Sequence, residues 1–410
     1  MLLEGNCVVA QSGGPTAVIN ASLNGVICEA LRTQCIKNVY GALNGVVGII
    51  NDNLVDLSQE KISDIELLKN TPSSALGSCR HKLGDIETDP DFEKILNTFK
   101  KHNIRYFFYI GGNDSMDTAD KLCKFFKRAS YGIRVIGIPK TVDNDLFGTD
   151  HCPGFGSAAK YISTTVAEIQ RDVTVYPAGQ ITIVEIMGRN AGWLTASSAL
   201  ANLAGSGPDL VCLPEVAFSS ERFYKKVKDI HARTGKVLVC VSEGVKDKNG
   251  QYVSLTEGNS DRDAFGHARL GGVGAALKYL LSDIEQKIKV VELNVLQRSA
   301  SHITSLTDLT SAVGVGKHAV HSASNGMSGS MVSIVRKVEP STSFEFDLIP
   351  LSHVANKEKN IPAEWILEDG WGVTSNALDY MLPLIRGRGP FLEDRHGLVQ
   401  MANLKLQKVS

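Results

Sequence analysis

The sequence predicts a doubly wound α/β fold with mostly parallel sheets, on three observations. At least seven short apolar runs have the length and composition of buried strands. Each run ends in glycine, charged or other polar residues, and helical patterns alternate with the runs. The chain has 410 residues, which is enough for two or three domains. The predicted strands are Cys7–Ala10, Arg105–Ile110, Val135–Ile138, Ile181–Ile186, Leu210–Leu213, Lys236–Val241 and Lys289–Leu296.

Composition excludes several classes of partner. The formal net charge is -1, so no overall field attracts nucleic acid or an anionic membrane. No uninterrupted apolar stretch approaches the length that a bilayer requires, and the N-terminus lacks the apolar core of a signal peptide. The 8 cysteines are scattered and form no CxxC pair, which is typical of free thiols in a reducing compartment. We therefore expect a cytoplasmic protein.

The first strand leads into Ser12-Gly13-Gly14 and then a helical pattern from Ala17 to Leu31. A strand, a glycine turn and a helix form the usual layout of a phosphate cradle, because glycines allow close backbone approach and the helix start offers N–H groups. Many ordinary tight turns share this pattern. Farther along, Arg80, His81 and Lys82 follow one another, and they read either as phosphate contacts or as a solvated basic loop.

A second strand–glycine–helix unit carries a carboxylate at its turn. The strand Arg105–Ile110 ends in Gly111-Gly112-Asn113-Asp114-Ser115, and a helical pattern follows from Met116 to Arg128. Asp114 reads either as a helix N-cap or as a ligand for a magnesium ion beside phosphate.

The next strand ends at Pro139, which donates no ladder hydrogen bond. It is followed by Lys140, Thr141, Asp143 and Asp145. A carboxylate beside a lysine, in a site that also holds phosphate, can act as a general base on a hydroxyl group. A charged loop after a core strand is the alternative interpretation. Further polar strand ends occur at Met187–Gly192, Pro214-Glu215, Ser242–Gly244 and Gln297-Arg298.

With these motifs assembled, the chain resembles the phosphofructokinase family, and within it the pyrophosphate-dependent branch. The resemblance covers about residues 5–330 and depends most on Lys140–Asp145 together with Met187–Arg189. It implies two doubly wound domains with the site in the cleft between them. Residues 1–153, completed by about 297–355, would form the donor domain. Residues 154–296, completed by about 356–410, would form the sugar-phosphate domain.

The resemblance also implies a role for each matching residue. Asp143 would be the base, with Lys140 and Arg189 as catalytic cations. The donor would be bound by Gly13, Gly14, Arg80, Asp114 and Ser115. The sugar phosphate would be bound by Thr141, Asp143, Met187, Gly188, Arg189, Glu215, Val295 and Arg298. The metal, Mg²⁺, would be held by Asn113, Asp114 and Asp145.

Two positions bear on the identity of the donor. Members of the family that use ATP tend to have glycine at the positions of Asp114 and Lys140. A carboxylate at the first position would repel the α-phosphate of a nucleotide, and a lysine at the second could stabilise a leaving phosphate. The chain departs from common members at three other positions. Asn113 replaces an aspartate, Val295 replaces a histidine, and Gln180 replaces an arginine that reaches across a subunit interface. Lys289 or His302 would then help to build the sugar-phosphate pocket.

The expected activity is a reversible phosphoryl transfer from pyrophosphate to fructose 6-phosphate, in glycolysis or gluconeogenesis. An ATP-dependent 6-phosphofructokinase is one alternative, and a non-catalytic sensor of sugar phosphates or nucleotides is the other. The resemblance further implies a homo-oligomer, a dimer or a tetramer, with no nucleic-acid or membrane partner.

Overall fold

The computed structural model describes residues 3–175, 177, 179–254, 271–338 and 341–409. The chain divides into two compact units. The first unit comprises residues 1–157, 298–358 and 387–410. The second comprises residues 158–297 and 359–386. From the sequence, residues 356–410 were expected in the second unit, whereas residues 356–358 and 387–410 belong to the first.

The strands and helices alternate along most of the chain. In chain order the strands are β1 (Gly5–Gln11), β2 (Ile36–Ala42), β3 (Leu54–Asp56), β4 (Ile104–Gly111), β5 (Arg134–Pro139), β6 (Gln180–Ile186), β7 (Leu210–Cys212), β8 (Lys236–Ser242), β9 (Ile288–Glu292), β10 (Ser330–Lys337) and β11 (Ser343–Pro350). The helices are α1 (Ile19–Ala30), α2 (Val46–Ile50), α3 (Ile62–Leu67), α4 (Asp91–Lys101), α5 (Asn113–Arg128), α6 (Phe155–Thr174), α7 (Trp193–Ser197), α8 (Ser220–Thr234), α9 (Val273–Leu280), α10 (Leu296–Ser299), α11 (Leu306–Ser324), α12 (Leu351–Val354) and α13 (Ser375–Met381).

The first unit contains a seven-stranded sheet in the order β11-β10-β5-β4-β1-β2-β3. Its inner pairs are parallel, and only the outer pairs β10–β11 and β2–β3 are antiparallel. Val8 and Phe107 belong to one apolar cluster, whereas Val9 and Phe108 belong to another. Because successive side chains of a strand point to opposite faces, the two clusters cover opposite faces of the sheet.

The second unit contains a four-stranded parallel sheet in the order β7-β8-β6-β9. Helices α8 and α9 contribute Phe223 and Leu277 to the same apolar cluster as Ile183 and Val239 of the sheet. The predicted α/β class with mostly parallel sheets is therefore confirmed. No helix in the described part of the chain is long and apolar enough to span a bilayer.

The prediction of one strand over Lys289–Leu296 was wrong at its C-terminal end. Strand β9 ends at Glu292, and Leu296–Ser299 forms the short helix α10. Asn294 has a positive φ of 39°, which breaks the extended backbone. Gln297 and Arg298 therefore belong to a helical turn and not to a strand end.

The C-terminal segment runs along the edge of the first sheet. The Asp56 N–H donates to the Gln407 carbonyl (2.8 Å), and the Val409 N–H donates to the Leu54 carbonyl (3.0 Å). The Glu60 carboxylate accepts the N–H groups of Lys405 (2.9 Å) and Leu406 (2.8 Å). These bonds partner the outer edge of β3, which would otherwise expose unpaired backbone groups.

A half-buried ionic cluster braces the chain that follows β5. The Arg336 guanidinium donates twice to the Asp150 carboxylate, at 2.9 and 3.0 Å. The His151 ring contacts the same carboxylate at 2.9 Å and the Ser311 hydroxyl at 3.3 Å. Burial raises the pKa of Asp150, but the hydrogen bonds from His151 and Arg336 outweigh it, so the pKa lies below its ordinary value of 3.8.

Replacing Asp150 by Asn is expected to destabilise the fold by about 3 kcal/mol at neutral pH, because Arg336 loses its charged partner. A carboxylate whose folded pKa is depressed stabilises the protein above the unfolded pKa, and that stabilisation is lost as the pH falls through the folded pKa. The free energies of unfolding of wild type and Asp150→Asn, measured in urea, should therefore differ most above pH 3.8 and converge as the pH falls below 3.8 through the lowered pKa of the folded protein. A difference that shows no decrease below pH 3.8 would contradict this assignment.

Candidate active site

The glycine turn after β1 is fixed by the loop that carries Arg80. The Gly13 N–H donates to the Cys79 carbonyl (3.2 Å), and the Ser78 hydroxyl donates to the Gly13 carbonyl (2.6 Å). Gly13 has a φ of +76°, a conformation that favours glycine. Helix α1 begins only at Ile19, so the turn is separate from the helix start that the sequence pattern placed beside it.

Two cations border this turn. The Lys140 ammonium donates to the Gly14 carbonyl at 2.7 Å, and Lys140 is only 2% exposed. A Cβ added at Gly13 would lie 3.2 Å from the Lys140 nitrogen, and one at Gly14 would lie 3.3 Å from a guanidinium nitrogen of Arg298. Side chains at these two positions would therefore crowd the cations.

The charges around Lys140 come from several segments of the first unit. Burial lowers the pKa of Lys140 to about 8. The nearby Arg298 and Arg80 also lower this pKa, whereas the carboxylates of Asp143 and Asp145 raise it. Gly13, Gly14, Lys140, Arg80 and Arg298 thus form one cationic cluster, which we call the donor cradle after the role proposed for it below. Arg298, for which the resemblance implied a contact with the sugar phosphate, lies beside Gly14 in the first unit.

The loop after β5 is held at both ends by backbone contacts. The Thr141 N–H donates to the Pro153 carbonyl (3.3 Å), and the Thr141 hydroxyl accepts the Asp143 N–H (3.1 Å). Gly154, which bridges to Thr141, donates its N–H to the buried Asp308 carboxylate (2.9 Å). The same carboxylate accepts the N–H of Ser157 at the start of α6 (2.9 Å).

Asn144 sits between the two aspartates and is fully buried. Its backbone is left-handed, with a φ of +55°, and its side-chain oxygen accepts the Cys152 N–H at 3.0 Å. Asparagine tolerates this conformation better than most residues. Asn144 therefore closes the loop between Asp143 and Cys152, a role that the sequence analysis did not assign.

Asp145, in the loop after β5, is a carboxylate with a strongly shifted pKa. Burial raises its pKa to about 7, and the nearby carboxylates of Asp143 and Glu358 contribute to the shift. Leu146 forms an antiparallel bridge with Glu358, which holds the third carboxylate in place. Negative charge is thus concentrated where a divalent cation would relieve it.

Asp114 and Asn113 occupy the first turn of α5 but differ in surroundings. Asp114 is partly exposed and lies 3.9 Å from the Lys82 ammonium. The Asn113 side chain accepts the Asn356 N–H (2.6 Å) and donates to the Lys357 carbonyl (2.6 Å). The carboxamide of Asn113 thus braces the chain before Glu358. Ser115 is buried, and a Cβ on Gly111 would collide with it.

In the second unit, the turn Met187–Arg189 follows β6 and is supported by the end of β8. Gly188 has a φ of +140°, and its N–H donates to the Glu243 carboxylate (3.3 Å). The Ser242 hydroxyl donates to the Gly188 carbonyl. A Cβ on Gly244 would collide with the carbonyl oxygens of Gly188 and Arg189. The sequence showed these three residues as a polar strand end, and the pairing of β6 with β8 explains why the end of β8 supports their turn.

Glu215 follows β7 and braces two backbone segments of the second unit. Its Oε1 accepts the N–H groups of Gly192 (2.8 Å) and Ile361 (3.3 Å). Burial raises the pKa of Glu215, with the hydrogen bonds opposing it, and no residue in the described part of the chain hydrogen-bonds to its buried Oε2. A buried acceptor of this kind is suited to a hydroxyl group.

The remaining candidates of the second unit have ordinary surroundings. Val295 is 50% exposed after β9. Lys289 forms an exposed ion pair with Asp172 at 3.0 Å. Gln180 begins β6 and is buried, with its amide donating to the Thr182 hydroxyl at 2.9 Å. In the first unit, His302 offers its backbone carbonyl to Arg388 at 3.2 Å.

The polar strand ends of the parallel sheets carry a cationic cradle, the acidic loop after β5 and a glycine turn. This arrangement is the framework of a phosphotransferase for small phosphorylated substrates. Comparison with known proteins identifies the family. Residues 6–323 match the family described as Phosphofructokinase. The chain therefore belongs to the phosphofructokinase family.

Similar proteins cover essentially the whole chain. It is 42% identical to the pyrophosphate–fructose 6-phosphate 1-phosphotransferase of Xanthomonas campestris, over 98% of this chain and 97% of that protein. It is 40% identical to the protein of the same name from Halomonas elongata, over 100% of this chain and 98% of that protein. The crystal structure of the pyrophosphate-dependent phosphofructokinase from Marinobacter aquaeolei superposes with a TM-score of 0.89 at 38% identity, covering 99% of this chain and 97% of that one.

Asn144 offers a test of the loop geometry. Asn144→Gly keeps the left-handed backbone but removes the hydrogen bond that Asn144 accepts from the Cys152 N–H, which is expected to cost about 1–3 kcal/mol of unfolding free energy. Asn144→Ala loses the same bond and adds about 1–2 kcal/mol for the left-handed conformation. Urea denaturation of the two variants should therefore rank alanine below glycine. Equal stabilities would show that the loop does not depend on the conformation of residue 144.

Proposed function

We propose that this chain transfers a phosphoryl group from pyrophosphate to the 1-hydroxyl of fructose 6-phosphate, giving fructose 1,6-bisphosphate and phosphate. The observation that carries the proposal is the donor cradle, in which a buried lysine is bound to a glycine turn and flanked by two arginines. Relatives named for this reaction, at 40–42% identity over nearly all of this chain, support it. The reaction is reversible, because the phosphate groups exchanged are similar in energy, and it suits glycolysis or gluconeogenesis.

On the donor side, Gly13, Gly14, Arg80, Lys140 and Arg298 would bind pyrophosphate. Fixed cations around a polyanion stabilise the charge that builds up on the transferring and leaving phosphates. Asp114, with Ser115 behind it, would select the donor. Its carboxylate stands near Lys82 and would repel the α-phosphate of a nucleotide, whereas pyrophosphate ends before that point.

On the acceptor side, Asp143 would remove the proton of the sugar hydroxyl, and Thr141 would keep the Asp143 backbone in place. Met187, Gly188 and Arg189 would bind the sugar phosphate, with Arg189 also stabilising the transferring group. The unpartnered Oε2 of Glu215 suits a sugar hydroxyl. Glu243 would join this set because its carboxylate contacts the Gly188 turn. Val295 would line the pocket as an apolar residue.

The residues of the donor side fit a magnesium ion. Asp145, whose raised pKa reflects burial and two neighbouring carboxylates, and Asp114 would supply oxygen ligands. Asn113 fits less well, because its amide already bonds to two backbone groups. Among the described residues no group of three or more acidic, histidine or cysteine side chains is placed to hold a metal ion by itself, so phosphate oxygens of the donor would complete the coordination. Mg²⁺ would supply charge neutralisation of the phosphates.

We further propose a cytoplasmic homo-oligomer, a dimer or a tetramer. All eight cysteines are free thiols, which supports a reducing compartment. The oligomer is supported only by the resemblance to the family, and analytical ultracentrifugation of the purified protein would measure it.

The function is tested by initial rates with fructose 6-phosphate, Mg²⁺ and either pyrophosphate or ATP. We expect turnover with pyrophosphate, and turnover with ATP should be at least about a hundredfold lower. Asp143→Asn is the matched control, since it preserves the shape of the loop but lowers turnover by about a hundredfold or more. A preference for ATP would favour the ATP-dependent alternative. Sugar-phosphate binding without turnover under either donor would favour the sensor.

Gly244→Ala tests the sugar-phosphate turn. The added methyl group must displace the backbone of Gly188 and Arg189, so the KM for fructose 6-phosphate should rise by about tenfold or more while the KM for pyrophosphate changes little. Gly132→Ala is the control, because this exposed glycine of the first unit has no left-handed φ and an added Cβ there comes nearest to the Leu3 side chain, at 3.3 Å. Unchanged constants in Gly244→Ala would remove the turn from the binding site.

A further inference from the structure

The proposed reaction requires a proton at the leaving phosphate. Attack by the sugar oxygen forms one P–O bond and breaks the bridging P–O bond of pyrophosphate. The sugar hydroxyl loses its proton, and the leaving group would depart as PO₄³⁻, which is far too basic to be stable near neutral pH. The balanced reaction of the alcohol with P₂O₇⁴⁻ gives a phosphate monoester dianion and HPO₄²⁻. A proton must therefore reach the leaving oxygen.

The donor cradle offers few groups that can supply this proton. The guanidinium groups of Arg80 and Arg298 bind phosphate but do not release protons in proteins. Lys82 is half-exposed and lies 3.9 Å from Asp114, and His81 contacts Asp91 at 3.1 Å. Lys140 is a cation of this cradle that can both carry a charge and give up a proton.

The position of Lys140 suits proton transfer. Its ammonium has three N–H groups, and one donates to the Gly14 carbonyl at 2.7 Å. Across the described ranges of the chain, no other hydrogen-bond or ion-pair partner of this ammonium is present, so N–H groups remain for a phosphate bound at Gly13 and Gly14. Because Lys140 is 2% exposed, bulk water has little access to its ammonium group.

We propose that Lys140 is the general acid that protonates the leaving phosphate, and the general base that deprotonates phosphate in the reverse direction. This inference rests on the proposed function. In the forward direction the sugar proton goes to Asp143 and the Lys140 proton goes to the phosphate. Return of one proton from Asp143 to the neutral amine, through solvent between turnovers, restores both groups, so the cycle balances.

The electrostatics of the cradle support this role. The pKa of Lys140 is lowered to about 8 by burial and by Arg298 and Arg80, with Asp143 and Asp145 opposing them. An ammonium with an ordinary pKa would be a weaker acid, and efficient proton transfer near neutral pH favours a pKa close to the working pH. The two arginines thus make Lys140 more acidic while they also bind the donor.

A charge-preserving variant separates an acid from a fixed charge. Lys140→Arg keeps the cation but cannot release the proton, so turnover should fall by at least about a hundredfold in both directions. Pyrophosphate binding, measured by calorimetry on the same protein, should change by less than about fivefold. Turnover within about tenfold of wild type would overturn the proposal, because charge alone would then suffice.

Chemical rescue gives an independent readout that a purely structural role would not produce. Methylammonium should restore part of the turnover of Lys140→Ala, whereas tetramethylammonium and guanidinium, which cannot give up a proton, should not. Arg80→Ala is the matched control, in which guanidinium should act at least as well as methylammonium. Equal rescue of Lys140→Ala by all three cations, or rescue by none, would count against the proposal. Lack of wild-type activity with pyrophosphate would instead reject the proposed function.

Discussion

The first unit depends on keeping one buried charge, the ammonium of Lys140, in place. An ammonium that is 2% exposed loses most of its hydration, which is expensive unless the surroundings replace it. The Gly14 carbonyl replaces one hydrogen bond, and the carboxylates of Asp143 and Asp145 supply opposite charge. Arg80 and Arg298 act against the ammonium. The two carboxylates thus raise the pKa of Lys140, and the two arginines lower it. A bound polyanion would shift this balance toward the charged form of the lysine.

The order of the strands makes this arrangement possible. Strands β5, β4 and β1 are adjacent and parallel, so their carboxyl ends share one edge of the sheet. Lys140 follows β5 directly and Gly13 lies two residues after β1, and the sheet brings these two residues together although they lie far apart in the chain. The Lys140 N–H also donates to the Gly111 carbonyl at 3.0 Å, which extends the ladder one residue beyond Pro139. The position of the lysine is therefore fixed by sheet hydrogen bonds and not by a free loop.

The central parallel strands and their polar ends could be predicted from the sequence, because buried strands are continuous apolar runs that stop abruptly. Strand β11 was missed because its alternating Ser343–Pro350 pattern belongs to a half-exposed edge, and β2 because polar residues interrupt it. The glycines, Lys140 and Asp143 were also visible as motifs. The roles of Asn144, Glu243 and Gly244 were not, since each depends on a backbone contact with a residue distant in sequence or on a left-handed φ. Asn113 was visible as a motif position, but the hydrogen bonds of its amide to residues 356–357 were not.

The return of the chain to the first unit after residue 297 supplies what the N-terminal strands lack. The segment 298–358 brings Arg298 beside Gly14, and it places the Asp308 carboxylate beneath the Gly154 turn that pairs with Thr141. It also carries Glu358, whose charge helps to raise the pKa of Asp145. Each of these groups acts on a residue of the loop after β5 or of the glycine turn. A domain ending at residue 157 would retain the motifs but would lose Arg298, Asp308 and Glu358, which contact or shift the pKa of residues in those motifs. The discontinuous first unit is thus a requirement of the donor cradle, because its electrostatic balance is assembled from two separate parts of the chain.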